Sequence, residues 1–166
     1  MKNKSLFYTL LILTAVILTS CPYSSRVPID KPGISVNKKL FGKWIQAKDR
    51  DEDFPQFFQI EKHDKYRYKI FDWQFKTSDS AYDSTLFISY ISEIEDNMFL
   101  NMQKNGEGDY LLYKIDLESN EEFTLFEVTD NIDEQFNTSE ELKAFIKAYM
   151  HLSFFYNKDE KKYIRQ

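Results

Sequence analysis

The chain has 166 residues, a net charge of −5 and an aromatic content of 17%, and it contains a single cysteine. This length suits one domain with a sizeable core. One cysteine excludes an internal disulfide, and an acidic balance argues against binding to nucleic acid, which needs clustered positive charge. Stability must therefore come from apolar packing, and nucleic acid is not an expected partner.

The first residues form a predicted export signal. A basic start is followed by an apolar run from Leu6 to Leu18, which is shorter than the roughly 20 residues of a membrane span. The cysteine follows at once in Leu-Thr-Ser-Cys, which resembles the bacterial lipobox. The resemblance implies that residues 1–20 are a signal peptide and that Cys21 is acylated, so that acyl chains anchor the mature protein in a membrane of the bacterial cell envelope. The alternative is an incidental cysteine in an ordinary secretory signal or an uncleaved helix.

The next segment is rich in proline. Between Pro22 and Asn37 lie three of the four prolines and one of the four glycines. This composition and the lack of periodicity predict a lipidated flexible tether over residues 21–37, which holds a single domain over residues 38–166 off the bilayer. The alternative is that Ile34 and Val36 pack along the domain as a plug or an edge strand.

Short apolar or alternating runs with turn signals between them follow the tether, as is typical of a meander of strands. The predicted strands are Leu40 to Lys48, Phe54 to Glu61, Tyr66 to Phe75, Ser84 to Ile94, Asn97 to Gln103, Tyr110 to Leu117 and Phe123 to Thr129. In the third run the large residues change phase after Ile70 and continue at Phe71 and Trp73. This shift predicts a bulge or bend near Ile70 to Asp72.

The period changes near the end of the chain. Thr138 and Glu141 fit a capping box, and apolar residues follow at helical spacing from Leu142 to Tyr149. Lys161 to Arg165 is a predicted last strand that can return to the first. The expected fold is all-β with one helix: an antiparallel up-and-down meander that closes into a barrel of about eight strands, with a C-terminal amphipathic helix and a short last strand.

The Gly-x-Trp triplet of Gly42 to Trp44, the meander, the late helix and the final strand together resemble the lipocalin-like β-barrels, many of which are bacterial lipoproteins. The resemblance implies that Trp44 plugs the closed end of the barrel and that the interior can hold a small apolar ligand. The second signature of that family, a Thr-Asp-Tyr turn, is not matched, since Thr129-Asp130-Asn131 departs at its third residue.

Aromatic residues and methionines supply the candidate ligand-binding side chains inside the barrel. These are Trp44, Phe58, Tyr68, Met98, Met102 and Tyr113. The alternative is that the same side chains fill the core completely, because a barrel of about eight strands leaves an interior only just wide enough for them.

The sequence offers no catalytic constellation. His63 and His151 are isolated, and no nucleophile or phosphate-binding motif is present. The acidic run Asp49 to Asp53 lacks the spacing of a calcium loop, and the same holds for Asp130, Asp133 and Glu134. No catalytic residue, metal or cofactor is expected, and the chain is not predicted to be an enzyme.

Two functions remain. The first is a membrane-anchored envelope lipoprotein with a non-enzymatic binding or accessory role, which docks a protein partner through exposed aromatic residues or acidic loops. The second is a lipocalin-type carrier of a small hydrophobic ligand. An apolar cavity of several hundred cubic ångströms favours the carrier, whereas a packed interior with an exposed apolar patch favours the accessory role.

Overall fold

The computed structural model describes residues 23–129 and 132–166. Its strands are β1 (Ser24–Ser25), β2 (Gly42–Gln46), β3 (Phe57–Lys62), β4 (Tyr68–Lys76), β5 (Ala81–Ile94), β6 (Asn97–Lys104), β7 (Tyr110–Asp116), β8 (Glu122–Glu127) and β9 (Lys161–Arg165), and its α-helix is α1 (Ser139–Tyr149). Short 3-10 turns lie at Lys38–Leu40, Ala47–Asp49 and Ser153–Phe155. The predicted signal peptide and Cys21 fall outside the described residues, as do Asp130 and Asn131.

Eight of these strands form a closed antiparallel barrel. Strands β2 to β8 pair in chain order, and β9 pairs with both β2 and β8. In this closure Ile45 lies opposite Ile164, and Phe123 lies opposite Tyr163. The short β1 lies outside the ring and pairs with β7. The prediction of an all-β barrel of about eight strands, closed by a returning last strand, is confirmed.

Side chains that alternate along each strand explain why the chain forms this sheet. In β6, Leu100 and Met102 pack in the barrel interior, while Phe99 packs in a second apolar cluster on the outside. Both faces of β6 are therefore buried. An outer layer must cover the barrel at this strand, because an exposed row of large apolar side chains would be unfavourable in water.

The predicted bulge near Ile70 to Asp72 is wrong. Strand β4 pairs residue by residue with β3 and with β5, without an inserted residue on either side. Tyr68 and Ile70 face the interior, so Phe71 and Trp73 face outward on the same regular strand. The change of phase marks a strand that carries large side chains on both faces.

Residues 23–37, which we call the strap, pack along the barrel. Tyr23 and Ile29 are only 5% and 0% exposed, and the Ile29 amide donates to Oδ1 of the buried Asn101 at 2.9 Å. The prediction of a flexible tether is therefore wrong for this segment. Its composition indicates irregular backbone, but side chains on distant strands bind that backbone and hold it in place. The alternative stated for Ile34 and Val36 fits the structure, since both residues pack against the interior cluster.

Helix α1 lies on the outside of the barrel beside the strap. Thr138 Oγ1 accepts from the amide of Glu141 at 3.2 Å, and Glu141 Oε2 accepts from the amide of Asn137 at 3.1 Å, one residue earlier than in a standard capping box. Leu142 and Ile146 are each 1% exposed. No helix within the described ranges is long and apolar enough to cross a membrane.

The strap and α1 together cover one side of the barrel, which we call the covered face. Its buried residues form one cluster: Tyr23, Ile29, Ile94, Phe99, Leu112, Val128, Leu142, Ile146 and Phe155. Lys143, on the rim of this layer, pairs with Asp30 of the strap at 2.6 Å. Two apolar cores therefore exist, one inside the ring and one between the ring and its outer layer.

Candidate docking surface

The structure brings the six predicted ligand-binding residues together in the barrel interior. Five of them are between 0% and 8% exposed, and the sixth is half-buried against them. The five are Trp44, Phe58, Tyr68, Met102 and Tyr113, and the sixth is Met98. Their placement follows from the strand alternation, whereas a role in ligand binding stays a prediction.

Aromatic rings fill the middle of the barrel. The ring of Tyr163 stacks on Phe58 at a centroid distance of 4.7 Å and on Phe123 at 5.0 Å, and Trp44 meets Phe123 edge-on at 4.7 Å. Burial raises the pKa of Tyr163 well above its usual value. This phenol therefore stays neutral at physiological pH, and the interior at this level is a packed core.

One end of the barrel is closed around Trp44. Its indole Nε1 donates to the carbonyl of Leu40 at 2.8 Å, and the guanidinium of Arg165 lies 4.3 Å above its ring. Arg165 also donates to the carbonyl of Phe41 at 2.7 Å. Gly42 has φ of +125°, and a Cβ at this residue would lie 2.8 Å from Nη1 of Arg165. The backbone angle therefore favours glycine here, and a larger residue would also push the end of the Arg165 side chain aside.

A small cavity lies near the same end. It has a volume of about 230 Å³ and is lined by apolar groups that include Tyr68, Met98, Ile115 and Leu117. Ligand pockets for drug-sized molecules have volumes of about 300–1,000 Å³. The space is therefore smaller than an ordinary carrier site.

A partly exposed cluster of five aromatic rings lies on the outer side of β3, β4 and the start of β5, which we call the bare face. Phe54 stacks on Phe75 at a centroid distance of 4.0 Å, and Phe57 stacks on Trp73 at 6.0 Å. Tyr82 meets both Phe57 and Phe75 edge-on at 5.4 Å. Phe54 is 54% exposed, and the other four rings are partly exposed. The rings hold one another in fixed positions at the surface.

Charged side chains border this aromatic cluster. The ammonium of Lys43 lies 4.0 Å from the ring centre of Phe57, a favourable cation–π geometry. At the tip of the β4–β5 hairpin Lys76 pairs with Asp83. The hydrogen bond between them raises the pKa of Lys76 and lowers that of Asp83, so both remain charged. An apolar centre with a polar rim is the usual anatomy of a protein–protein interface.

The sequence contains the signal for the bare face. Phe71, Trp73 and Phe75 alternate with a period of two on the side of β4 opposite to Tyr68 and Ile70. An interpretation of both rows as interior residues led to the predicted bulge. The partnership with Phe54 and Tyr82 was missed, because it depends on the pairing of β4 with its neighbours.

Within residues 23–129 and 132–166, no group of three or more His, Cys, Asp or Glu side chains is placed to hold a metal ion. Asp51 to Asp53 are exposed in the loop between β2 and β3.

No protein-family model, curated protein or solved structure matches this chain. Its class is therefore defined by the geometry of the described residues, which form a closed eight-stranded antiparallel barrel with one outer helix. This architecture agrees with the resemblance to lipocalin-like barrels at the level of the fold.

Proposed function

We propose that this protein is a membrane-anchored lipoprotein of the bacterial cell envelope that acts without enzymatic chemistry and docks a protein partner on its bare face. The observation that supports the docking role is the unequal distribution of aromatic side chains. Rings pack tightly in the interior, yet Phe54 and its neighbours stack on one another at the surface. A contiguous group of partly exposed rings around an exposed phenylalanine supports an interaction surface.

The chemistry of the patch suits a protein partner. Trp and Tyr are the residues that most often dominate binding energy at interfaces, and Trp73 and Tyr82 both belong to the cluster. Because the rings are already stacked, little side-chain freedom is lost on binding. The acidic chain and the charged pair at the rim favour a partner with a complementary pattern of charge.

A site-specific photocrosslinker tests the docking role in the native host. We expect p-benzoylphenylalanine at position 54 to give a discrete adduct with one envelope protein. The same group at the exposed position 107, in the turn between β6 and β7, serves as the control and should give no such adduct. Phe75→Ser in the same chain should abolish the adduct at position 54, because it removes the stacking partner. The same adduct from position 107 would contradict the proposal.

Metabolic labelling tests the anchor independently. An alkyne analogue of palmitate fed to the host should label the wild-type protein and leave Cys21→Ala unlabelled. The mature N-terminus should be Cys21, since the lipobox resemblance places the cleavage directly before it. A mature chain that begins upstream of Cys21 would refute the anchor and leave the docking role to be judged by the crosslinks.

A lipocalin-type carrier of a small hydrophobic ligand is the second candidate. The cavity of about 230 Å³ beside Tyr68 and Met98 supports it for a compact ligand. Mass spectrometry of small molecules that copurify with the protein is the test. Reproducible enrichment of one compound, lost when Met98→Trp fills the cavity, would favour the carrier over the docking module.

A further inference from the structure

We infer that the mature protein lies side-on against the bilayer, with the surface around Phe154 and Tyr149 in the lipid interface and the bare face turned towards water. This inference rests on the proposed acylation of Cys21. It adds an orientation, a second contact surface and a partner for that surface, which is the bilayer itself.

The predicted acyl anchor can reach only a short distance from the barrel wall. The amide of Tyr23 donates to the carbonyl of Val128 at 3.4 Å, and its hydroxyl donates to the carbonyl of Glu134 at 3.3 Å. Tyr23 is thus fixed to the barrel wall. Two peptide units separate it from Cys21, so covalent geometry keeps the two Cα atoms within about 8 Å. Acyl chains on Cys21 therefore bring the bilayer to this side of the barrel.

Exposed aromatic rings lie close to Tyr23. Phe154 is 63% exposed and Tyr149 is 43% exposed. Both line a pocket of about 190 Å³ together with Glu134, which binds the Tyr23 hydroxyl through its carbonyl. Phe155, adjacent to Phe154, is part of the same buried cluster as Tyr23. The exposed rings of Phe154 and Tyr149 and the residue Tyr23 therefore lie on one side of the barrel.

The chemistry of this surface suits a lipid bilayer. Tyrosine is enriched at the membrane–water interface, because its ring is apolar while its hydroxyl meets water, and phenylalanine is among the apolar residues that interfacial segments bury there. An apolar face typically inserts about 5–10 Å into the headgroup region. The bilayer is the expected occupant of this surface. Acyl chains on Cys21 would hold the barrel at the membrane, with this surface close to the lipid.

The ring order then fixes where the bare face points. Val128 follows the end of β8, and β8 lies four strands from β4 in a closed ring of eight. The outer side of β4, which carries the bare face, therefore lies across the barrel from Tyr23 and from the surface around Phe154 and Tyr149. A protein docked on Phe54, Trp73 and their neighbours would approach from the aqueous compartment without competing with lipid.

Two exposed phenylalanines make a matched test. The full-length acylated protein is purified from host membranes as Phe154→Cys or Phe54→Cys and labelled with an environment-sensitive dye. The thiol of Cys21 is consumed by its thioether, so the introduced thiol is the sole target. In vesicles of phosphatidylethanolamine and phosphatidylglycerol with headgroup-region nitroxide lipids, we expect several-fold stronger quenching of the dye at position 154 than at position 54.

The outcomes separate the inference from the proposal on which it rests. Acylated protein with equal quenching at both positions, or stronger quenching at position 54, would overturn the orientation and leave the anchor intact. An intact mass that lacks acyl chains would overturn the anchor and the inference with it. Tyr149→Cys gives a second readout on the same surface and should be quenched like position 154 even if labelling at position 154 disturbs the fold.

Discussion

The two outer faces of the barrel carry similar side chains, yet only one of them is buried. On the covered face Phe99 and Leu112 lie beneath the strap and α1 and are 0% and 1% exposed. On the bare face Phe57 and Trp73 lie on equally regular strands but remain partly exposed. Burial of the rings on the covered face stabilises the fold. The rings on the bare face gain only part of this burial free energy, so their exposure calls for a functional explanation.

The largest expected difference between the faces is in how much the free energy of unfolding falls when an aromatic ring is removed. Phe99→Ala should lower the free energy of unfolding by about 3–5 kcal/mol, because it leaves a cavity in a closed layer. Phe57→Ala on the bare face should cost about 1–2 kcal/mol, since it loses its ring partners and only part of a buried surface. Urea denaturation of both variants measures the difference. Equal losses in the free energy of unfolding would mean that the bare face contributes as much to stability as the covered face.

The next largest effect is expected from the hydrogen bond that holds the strap against the barrel. Asn101→Ala removes the acceptor of the Ile29 amide and should cost about 1–3 kcal/mol, because a buried donor is left unsatisfied. Hydrogen exchange of the strap should accelerate more than that of β3 or β4. Gln59→Ala, a polar truncation on the outer side of β3, is the control and should leave the strap protected. Unchanged exchange in Asn101→Ala would show that other contacts hold the strap.

High pH should weaken the covered face as well. Burial raises the pKa values of Tyr23, Tyr90 and Tyr156. Because a phenol is neutral until it loses its proton, the folded state then holds this proton more tightly than the unfolded chain. The resulting stability is fully present below about pH 10, where an unfolded tyrosine ionises, and is lost as the pH rises above it.

Urea midpoints at about pH 9 and about pH 11 measure this loss, on either side of the ordinary tyrosine pKa. Tyr90→Phe should reduce the difference between the two midpoints, although it also removes the hydrogen bond from the Tyr90 hydroxyl to the carbonyl of Asp30 at 2.9 Å and so lowers stability at both values. An unchanged difference in Tyr90→Phe would assign the alkaline loss to other groups.

The smallest expected effect on stability is on the bare face itself. Phe54→Ser should change the free energy of unfolding by about 1 kcal/mol or less, because Phe54 is more than half exposed and makes one stacked pair. It should nevertheless abolish a partner crosslink from position 82. Phe154→Ser, the same change on the anchored side, is the control and should keep that crosslink. Loss of the crosslink in both variants would point to a general defect.

Local patterns were enough to predict most of the barrel. Strand β9 and helix α1 lie where alternation and the capping residues Thr138 and Glu141 place them. Even the closure of the barrel by β9 followed from the need to cover the free edges of a meander. The inward placement of Trp44 and Met102 came from the same period of two.

The misread segments depend on contacts between residues far apart in the chain. The strap has no periodicity, and its burial rests on Asn101 and on other residues of distant strands. The outward row on β4 could not be told from an inward row, because its large side chains give the same local signal on either face. The size of the interior cavity depends on how rings such as Tyr163 meet across the barrel, which no single stretch of sequence records.

Closure by the last strand makes the fold sensitive to completeness. The five residues of β9 fill the gap between β2 and β8, so a chain cut short before Lys161 would leave two unpaired edges open to aggregation or proteolysis. The barrel cannot close until β9 has been translated. A product without β9 should therefore be cleaved by proteases more readily than the closed barrel, because it exposes the edges of β2 and β8.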